Sequence, residues 1–188
     1  MAASIATIAT YLLEEGLKYS IHDNYIRISF AMRNYVDEEN DQSLFLVSFI
    51  EEDGSYFKIM APNLYHYPLD GSNSAELFRV LLAISWRNKL VKYAYDEKDG
   101  EVIALAEIPL EDTELGKKQL FRCLNSLIQV IDEYHPVISA CLAGKEGSIE
   151  LAEDKADNLR KAEHILQAAG ISGHKRSQPA RSLLRFEE

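Results

Sequence analysis

Cysteine is scarce in this chain of 188 residues, with only Cys123 and Cys141 present. If both lie on one continuous helix they stand about 27 Å apart at 1.5 Å per residue. A disulfide needs Cα atoms within roughly 7 Å, so that geometry excludes an intrachain bridge. Two buried, reduced thiols are the expectation, and they fit a cytoplasmic protein. Positive charge is also short, with 20 Lys and Arg against 30 Asp and Glu and a formal net charge of −10. A nucleic-acid partner would require a basic footprint, so none is expected. Attachment to an anionic membrane surface is disfavoured for the same reason. No segment approaches the roughly 20 apolar residues of a membrane span. The opening MAASIATIATYLLEEG lacks the basic region of a secretion signal and reads as a first helix.

Catalytic signatures are missing too. The sequence holds no G-x-S-x-G, no G-x-G-x-x-G and no P-loop. The five histidines, His22, His66, His135, His164 and His174, share no metal-ligand spacing with a cysteine or carboxylate. They read as surface or loop residues. The carboxylates of residues 96–101 place Lys98 and Glu101 where a calcium loop needs an oxygen ligand and a glycine. Glu51-Glu52-Asp53 and Glu111-Asp112 fall at expected turns, where exposure leaves acidity ordinary. The sequence therefore points to no catalytic residue, no metal and no cofactor.

What is present is organised around residues 76–112. Leu77, Val80, Leu81 and Ile84 recur at helical spacing, with Phe78, Leu82 and Trp86 beside them. That stripe is wide enough to be covered on more than one side. Asn73 or Ser74 is the expected cap. Strand alternation follows at once. Val91, Tyr93 and Tyr95 point one way, Asp99-Gly100 marks a turn, and residues 102–108 return apolar on both faces.

Before this stretch, Ser4 caps a helix with Ile5, Ile8, Leu12 and Leu13 as its apolar stripe, ending at Gly16, and residues 21–32 alternate as one half-buried strand. Residues 44–50 read as an interior strand, and Glu52-Asp53-Gly54 as a hairpin turn. A third strand over residues 56–61 is expected to stop at Pro62. Residues 64–72 read as a loop. After it, Leu120, Leu124, Leu127, Ile128 and Ile131 mark a long helix that Pro136 is expected to kink or interrupt. Gly144 and Gly147 suggest a hinge, and Ser148 a cap. Ile149, Ala152, Ala156, Leu159, Leu166 and Ala169 then give a thin stripe that needs a surface to lie on.

The expected layout is α+β: helix, three antiparallel strands, helix, two strands, long helix. The boundaries follow as residues 1–145 for the domain, 146–170 for an appended amphipathic helix, and 171–188 for a basic, flexible tail. The tail carries 4 basic and 2 acidic residues, against 13 and 22 in the domain.

This layout, with EEDGSYFKIMAPN, the W-x-N-K-L and D-x-x-D-G-E-V segments and the QLFRCLNSLIQVIDEY helix, resembles the bacterial YbjN family. Its members are described as candidate sensory-transduction regulators. The resemblance covers residues 1–143 and implies a fold like the Tir-type chaperones of type III secretion. It also implies a binding role and carries over no catalytic residue.

Aromatic side chains are the remaining site candidates, because they are enriched at binding hot spots. Tyr65 and Tyr67 read as exposed loop contacts. Trp86, Tyr93 and Tyr95 are candidates as well, although a lone Trp on an apolar helix is more often core. The functional expectation is a non-enzymatic, chaperone-like adaptor or regulator that acts as a homodimer and binds a protein partner, with a sheet edge open to an added strand. A structural subunit of a larger assembly, or an enzyme of unrecognised type, is the alternative.

Overall fold

A computed structural model describes residues 3–150 and residue 154. Helix α1 (Ile5–Glu14) is capped by Ser4, whose Oγ accepts the Thr7 N–H at 3.2 Å. Strands β1 (Tyr19–Ile21), β2 (Tyr25–Ala31), β3 (Ser43–Glu51) and β4 (Tyr56–His66) follow. Helix α2 (Ser74–Arg87), strands β5 (Lys92–Tyr95) and β6 (Glu101–Pro109), and helix α3 (Lys117–Leu142) complete the described elements. The six strands form one antiparallel sheet in the order β1-β2-β3-β4-β6-β5. The α+β layout is as the sequence predicts, with one short strand more.

That extra strand, β1, lies just ahead of the strand expected over residues 21–32, which begins only at Tyr25. His22, Asp23 and Asn24 turn the chain, and the His22 N–H donates to the Tyr25 carbonyl at 2.9 Å. Asp and Asn favour such turns because their side chains compete for the local backbone.

Two prolines fail to break their elements. Strand β4 continues through Pro62 to His66, because the ladder to β6 skips from Ala61 to Tyr65 at a register shift. A proline is tolerated there, where no ladder donor is missed. Helix α3 runs through Pro136 to Leu142. Pro136 cannot donate to the carbonyl of Asp132. Asn34 fills that role from outside the helix, its Nδ2 donating to the Asp132 carbonyl at 3.2 Å.

Alternation sorts the sheet into two faces. Ile26, Ile28, Phe30, Leu44, Leu46, Phe57, Ile59, Ala61, Val102, Ala104 and Ala106 are buried on the inner face. Leu77, Val80, Leu81 and Ile84 of α2 join them in one core with Leu120, Leu124, Leu127 and Ile131 of α3. The outer face carries no helix among the described residues.

The turn into β6 needs glycine. Gly100 has φ +83°, and a Cβ there would stand 2.8 Å from the Tyr67 carbonyl oxygen. That close approach lets the Tyr67 N–H donate to the Gly100 carbonyl at 2.9 Å, closing the end of β4 onto the hairpin.

Candidate functional site

The helical period sets which part of α2 faces out. Leu77, Val80, Leu81 and Ile84 take the inner side, which leaves Arg79, Leu82 and Trp86 on one outer stripe, spaced by three and four residues. Leu82 is 69 % exposed and Trp86 89 % exposed. Trp86, a binding candidate weighed against a place in the core, is thus not core: it lies one turn past Leu82, on the side turned away from the sheet.

The edge beside this stripe is partly closed. Lys92 Nζ donates to the carbonyls of Ser85 and Asn88 at 2.8 and 2.9 Å, which holds the end of α2 over β5. Ser85 Oγ accepts the Tyr93 N–H at 3.1 Å. An added strand at β5 would have to displace that hydroxyl.

Tyr65, expected on an exposed loop, lies within β4 and is buried. Its hydroxyl is 3.0 Å from His135 Nδ1, and His135 Nε2 is 3.0 Å from Ser139 Oγ. Tyr35 stands edge-on to the His135 ring at 5.1 Å. His135 is thus buried between sheet and α3, not a surface residue. Burial holds its pKa below the usual histidine value, opposed in part by the charge of Asp132. Burial also pushes the Tyr65 phenol well above its ordinary pKa, with neighbouring Tyr93, Tyr35 and Asp132 adding to it. The Tyr35 phenol rises to about 12 by burial, reinforced by Asp37 and Glu38. This cluster is therefore neutral at physiological pH. It pins sheet to helix.

Tyr67 is half-buried, and its hydroxyl accepts the Asn73 N–H at 2.9 Å. Tyr95 donates its hydroxyl proton to the Tyr67 carbonyl at 3.0 Å and packs its ring edge-on against Phe78. The Tyr93 hydroxyl is buried and has no hydrogen-bond partner among the described residues. Of the five aromatic candidates, four are built into the body and Trp86 alone presents most of its surface.

Asn73, an expected cap of α2, makes no side-chain cap. Its Nδ2 instead donates to the carbonyls of Cys141 and Lys145 at 2.8 and 3.2 Å. The chain leaving α3 is then fastened to α2. Glu76 Oε1 accepts the Gly147 N–H at 3.1 Å, and Arg79 Nη2 donates to the Gly147 carbonyl at 3.3 Å. The hydrogen bond from Arg79, with that from Gly147, lowers the Glu76 carboxyl to about 2.

The uncovered sheet face is the second candidate surface. Strand register aligns Arg27, Val47, Met60, Leu105 and Lys92 in one cross-strand row. Ile103 lies beside it, and Phe45 is 37 % exposed under the Arg27 guanidinium, 3.9 Å from its ring centre. A depression opens between Tyr25, Arg27, Phe45, Val47, Pro62 and Asn63. The apolar two-sidedness of residues 44–50 and 102–108 was the available signal.

Among the described residues no three His, Cys, Asp or Glu side chains gather as metal ligands. No helix among them is long and apolar enough to cross a membrane.

No model of a protein family matches the chain, and no curated protein matches it in sequence. Solved structures do. YbjN from E. coli, described as a candidate transcription regulator, superposes with a TM-score of 0.52 at 13% identity, over 71% of this chain and 92% of that one. The chain has a YbjN-like fold. Two weaker likenesses are to the HopA1–SchA chaperone–effector complex (TM-score 0.42, 15% identity, 64% of this chain and 83% of that one) and the ExsC–ExsE complex (TM-score 0.45, 14% identity, 71% and 94%). The YbjN-like fold supplies the frame on which the α2 stripe and the open sheet face are displayed; the residues that fill both surfaces are this chain's own.

Proposed function

We propose that the protein is a non-enzymatic protein-binding module, a chaperone-like adaptor or regulator that works as a homodimer. One observation carries the reading: Leu82 and Trp86 stand exposed together on a helix whose other side is core. Large exposed aromatic and aliphatic anchors of this kind are where binding energy concentrates. A second copy suits the α2 stripe, because a two-fold axis across a helix sets the same indole and leucine against each other. A partner segment suits the open sheet face, where Phe45, Met60, Ile103 and Leu105 offer apolar contact between Arg27 and Lys92. The acidic body would speed encounter with a basic partner, while buried apolar contact would set affinity. A reducing cytoplasm suits the two buried free cysteines, and burial raises the Cys123 thiol to about 11.

The test is capture of partners from native lysate on immobilised wild type and on Met60→Glu, with melting curves of both. A protein retained by wild type and lost from the variant, at an unchanged melt, is the expected result. Equal retention on both removes the sheet face as the site. Nothing retained above control on wild type removes the reading.

A further inference from the structure

Charge is spread unevenly over this acidic chain. Residues 77–95 and 115–131 together carry seven basic side chains and not one acidic, whereas the whole chain holds 20 basic against 30 acidic. Four of the seven are committed nearby. Arg79 pairs with Glu76, and Lys117 with Glu14 and Glu15. Arg87 and Lys92 donate to carbonyls in the last turns of α2. The side chains of Lys89, Lys118 and Arg122 make no hydrogen bond or ion pair with the described residues.

Two of those three cations meet at a cavity. It lies between the segment joining α2 to β5 and the first half of α3, has a volume of about 280 Å³, and is lined by Asn88, Lys89, Leu90, Val91, Arg122 and Ser126. That is the small end of the range for ligand pockets, which starts at roughly 300 Å³. Val91 is buried and Leu90 half-buried, so the two supply apolar surface. Arg122 and Ser126 stand one helical turn apart on the same side of α3, and the Ser126 hydroxyl has no partner among the described residues. No carboxylate lines the cavity.

The end of α2 beside it would repel an anion if its carbonyls were bare. They are occupied. The Ile84 carbonyl accepts the Asn88 N–H and Asn88 Nδ2, and the Ser85 and Asn88 carbonyls accept Lys92 Nζ. The cations of the cavity therefore act with little opposition, and low-dielectric walls beside them focus their attraction.

We propose that this cavity binds a small organic anion, a carboxylate or phosphate monoester with a short apolar body. The charged head meets Arg122 and Lys89, where hydrogen bonds gain from charge on both sides, and Ser126 donates one more. The apolar body rests on Leu90 and Val91. So small a volume suits a single head and a short body, not an extended acidic chain. The site stands apart from the protein-binding reading, because neither Leu82 and Trp86 nor the open sheet face lines it.

The experiment is an NMR titration of the isotope-labelled full chain with phenyl phosphate, benzoate, inorganic phosphate and benzyl alcohol. It is run on wild type, Arg122→Gln and Lys118→Gln, with circular dichroism melts to confirm that each is folded. Lys118 lies one turn before Arg122 but outside the cavity, so its variant controls for the loss of general positive charge. The expected result is saturable shifts of the amides of residues 88–91 and 122–126 with phenyl phosphate and benzoate. Arg122→Gln should weaken both about tenfold, and Lys118→Gln less than about twofold. No saturable shift at those amides in wild type overturns the proposal. Equal weakening by the two variants also overturns it, because the attraction is then diffuse. Inorganic phosphate bound as tightly as phenyl phosphate removes the apolar half of the site, and benzyl alcohol bound as tightly removes the anion. An acidic peptide that binds more tightly than any of these, with shifts spreading to Lys118, overturns the small ligand in favour of a macromolecule.

Discussion

Removing the Asp132 carboxylate should loosen the joint between the end of β2 and α3. Asp132 Oδ1 accepts three successive backbone N–H groups, from Arg33, Asn34 and Tyr35, at 2.9, 2.7 and 3.1 Å. Asn34 answers with its own amide, which donates to the Asp132 carbonyl that Pro136 leaves without its helical donor. Hydrogen bonds to a charged group contribute roughly 1.5–3 kcal/mol each when nothing replaces them. Two of the three amides are exposed and can turn to water in Asp132→Ala, while the Tyr35 amide is part-buried. The net loss is therefore about 2–3 kcal/mol, nearer one bond than three. For a folded body of this size that is a fall in Tm of roughly 4–12 °C. Asp132→Asn keeps an oxygen in place and drops only the charge, so it should lose about 1 kcal/mol. Urea unfolding of the three proteins measures this, with equal slopes required for the comparison. An Asp132→Ala protein within about 0.5 kcal/mol of wild type would refute the latch, because that is the scatter of surface changes.

Three further outcomes follow from the same contacts. His135 has a folded pKa below its unfolded value, so the unfolded chain binds more protons as pH falls through about 6.5. Stability should be full above that point and decline toward and through the lowered folded value, and His135→Gln should flatten the slope in a pH series of urea midpoints. Ending the chain after Glu150 should preserve a cooperative melt, whereas ending it after Lys145 removes buried Ile149 and the Gly147 bond to Glu76 and should cost about 2–4 kcal/mol. Tyr65→Phe should lose about 1 kcal/mol with His135 left short of one partner, and Tyr67→Phe a similar amount through the Asn73 amide, both read from melting curves.

The helices and hairpins were legible because periodicity and turn chemistry are local. Leu77, Val80, Leu81 and Ile84 gave the inner side of α2, and Asp99-Gly100 its hairpin. The same helical period could have placed Leu82 and Trp86 outside, had the width of the stripe not suggested a second cover. His135 could have been found too. It stands four residues after Ile131 and three before Ile138, on the inner face of α3. The prolines misled because their compensation is remote. Asn34 lies 98 positions from Asp132, and no local pattern announces that a side chain there will take the freed carbonyl. Tyr65 misled because Pro62 looked like the end of a strand, when a register shift carries the strand past it.

The most direct measurement is the equilibrium mass of the full chain at tens of micromolar, beside a Leu82→Glu, Trp86→Glu double variant. A mass of twice the chain for wild type and once the chain for a variant with the same circular dichroism is the expected result. A wild type that stays monomeric, or a variant that dimerises as well as wild type, would contradict the assignment of the α2 stripe to a second copy.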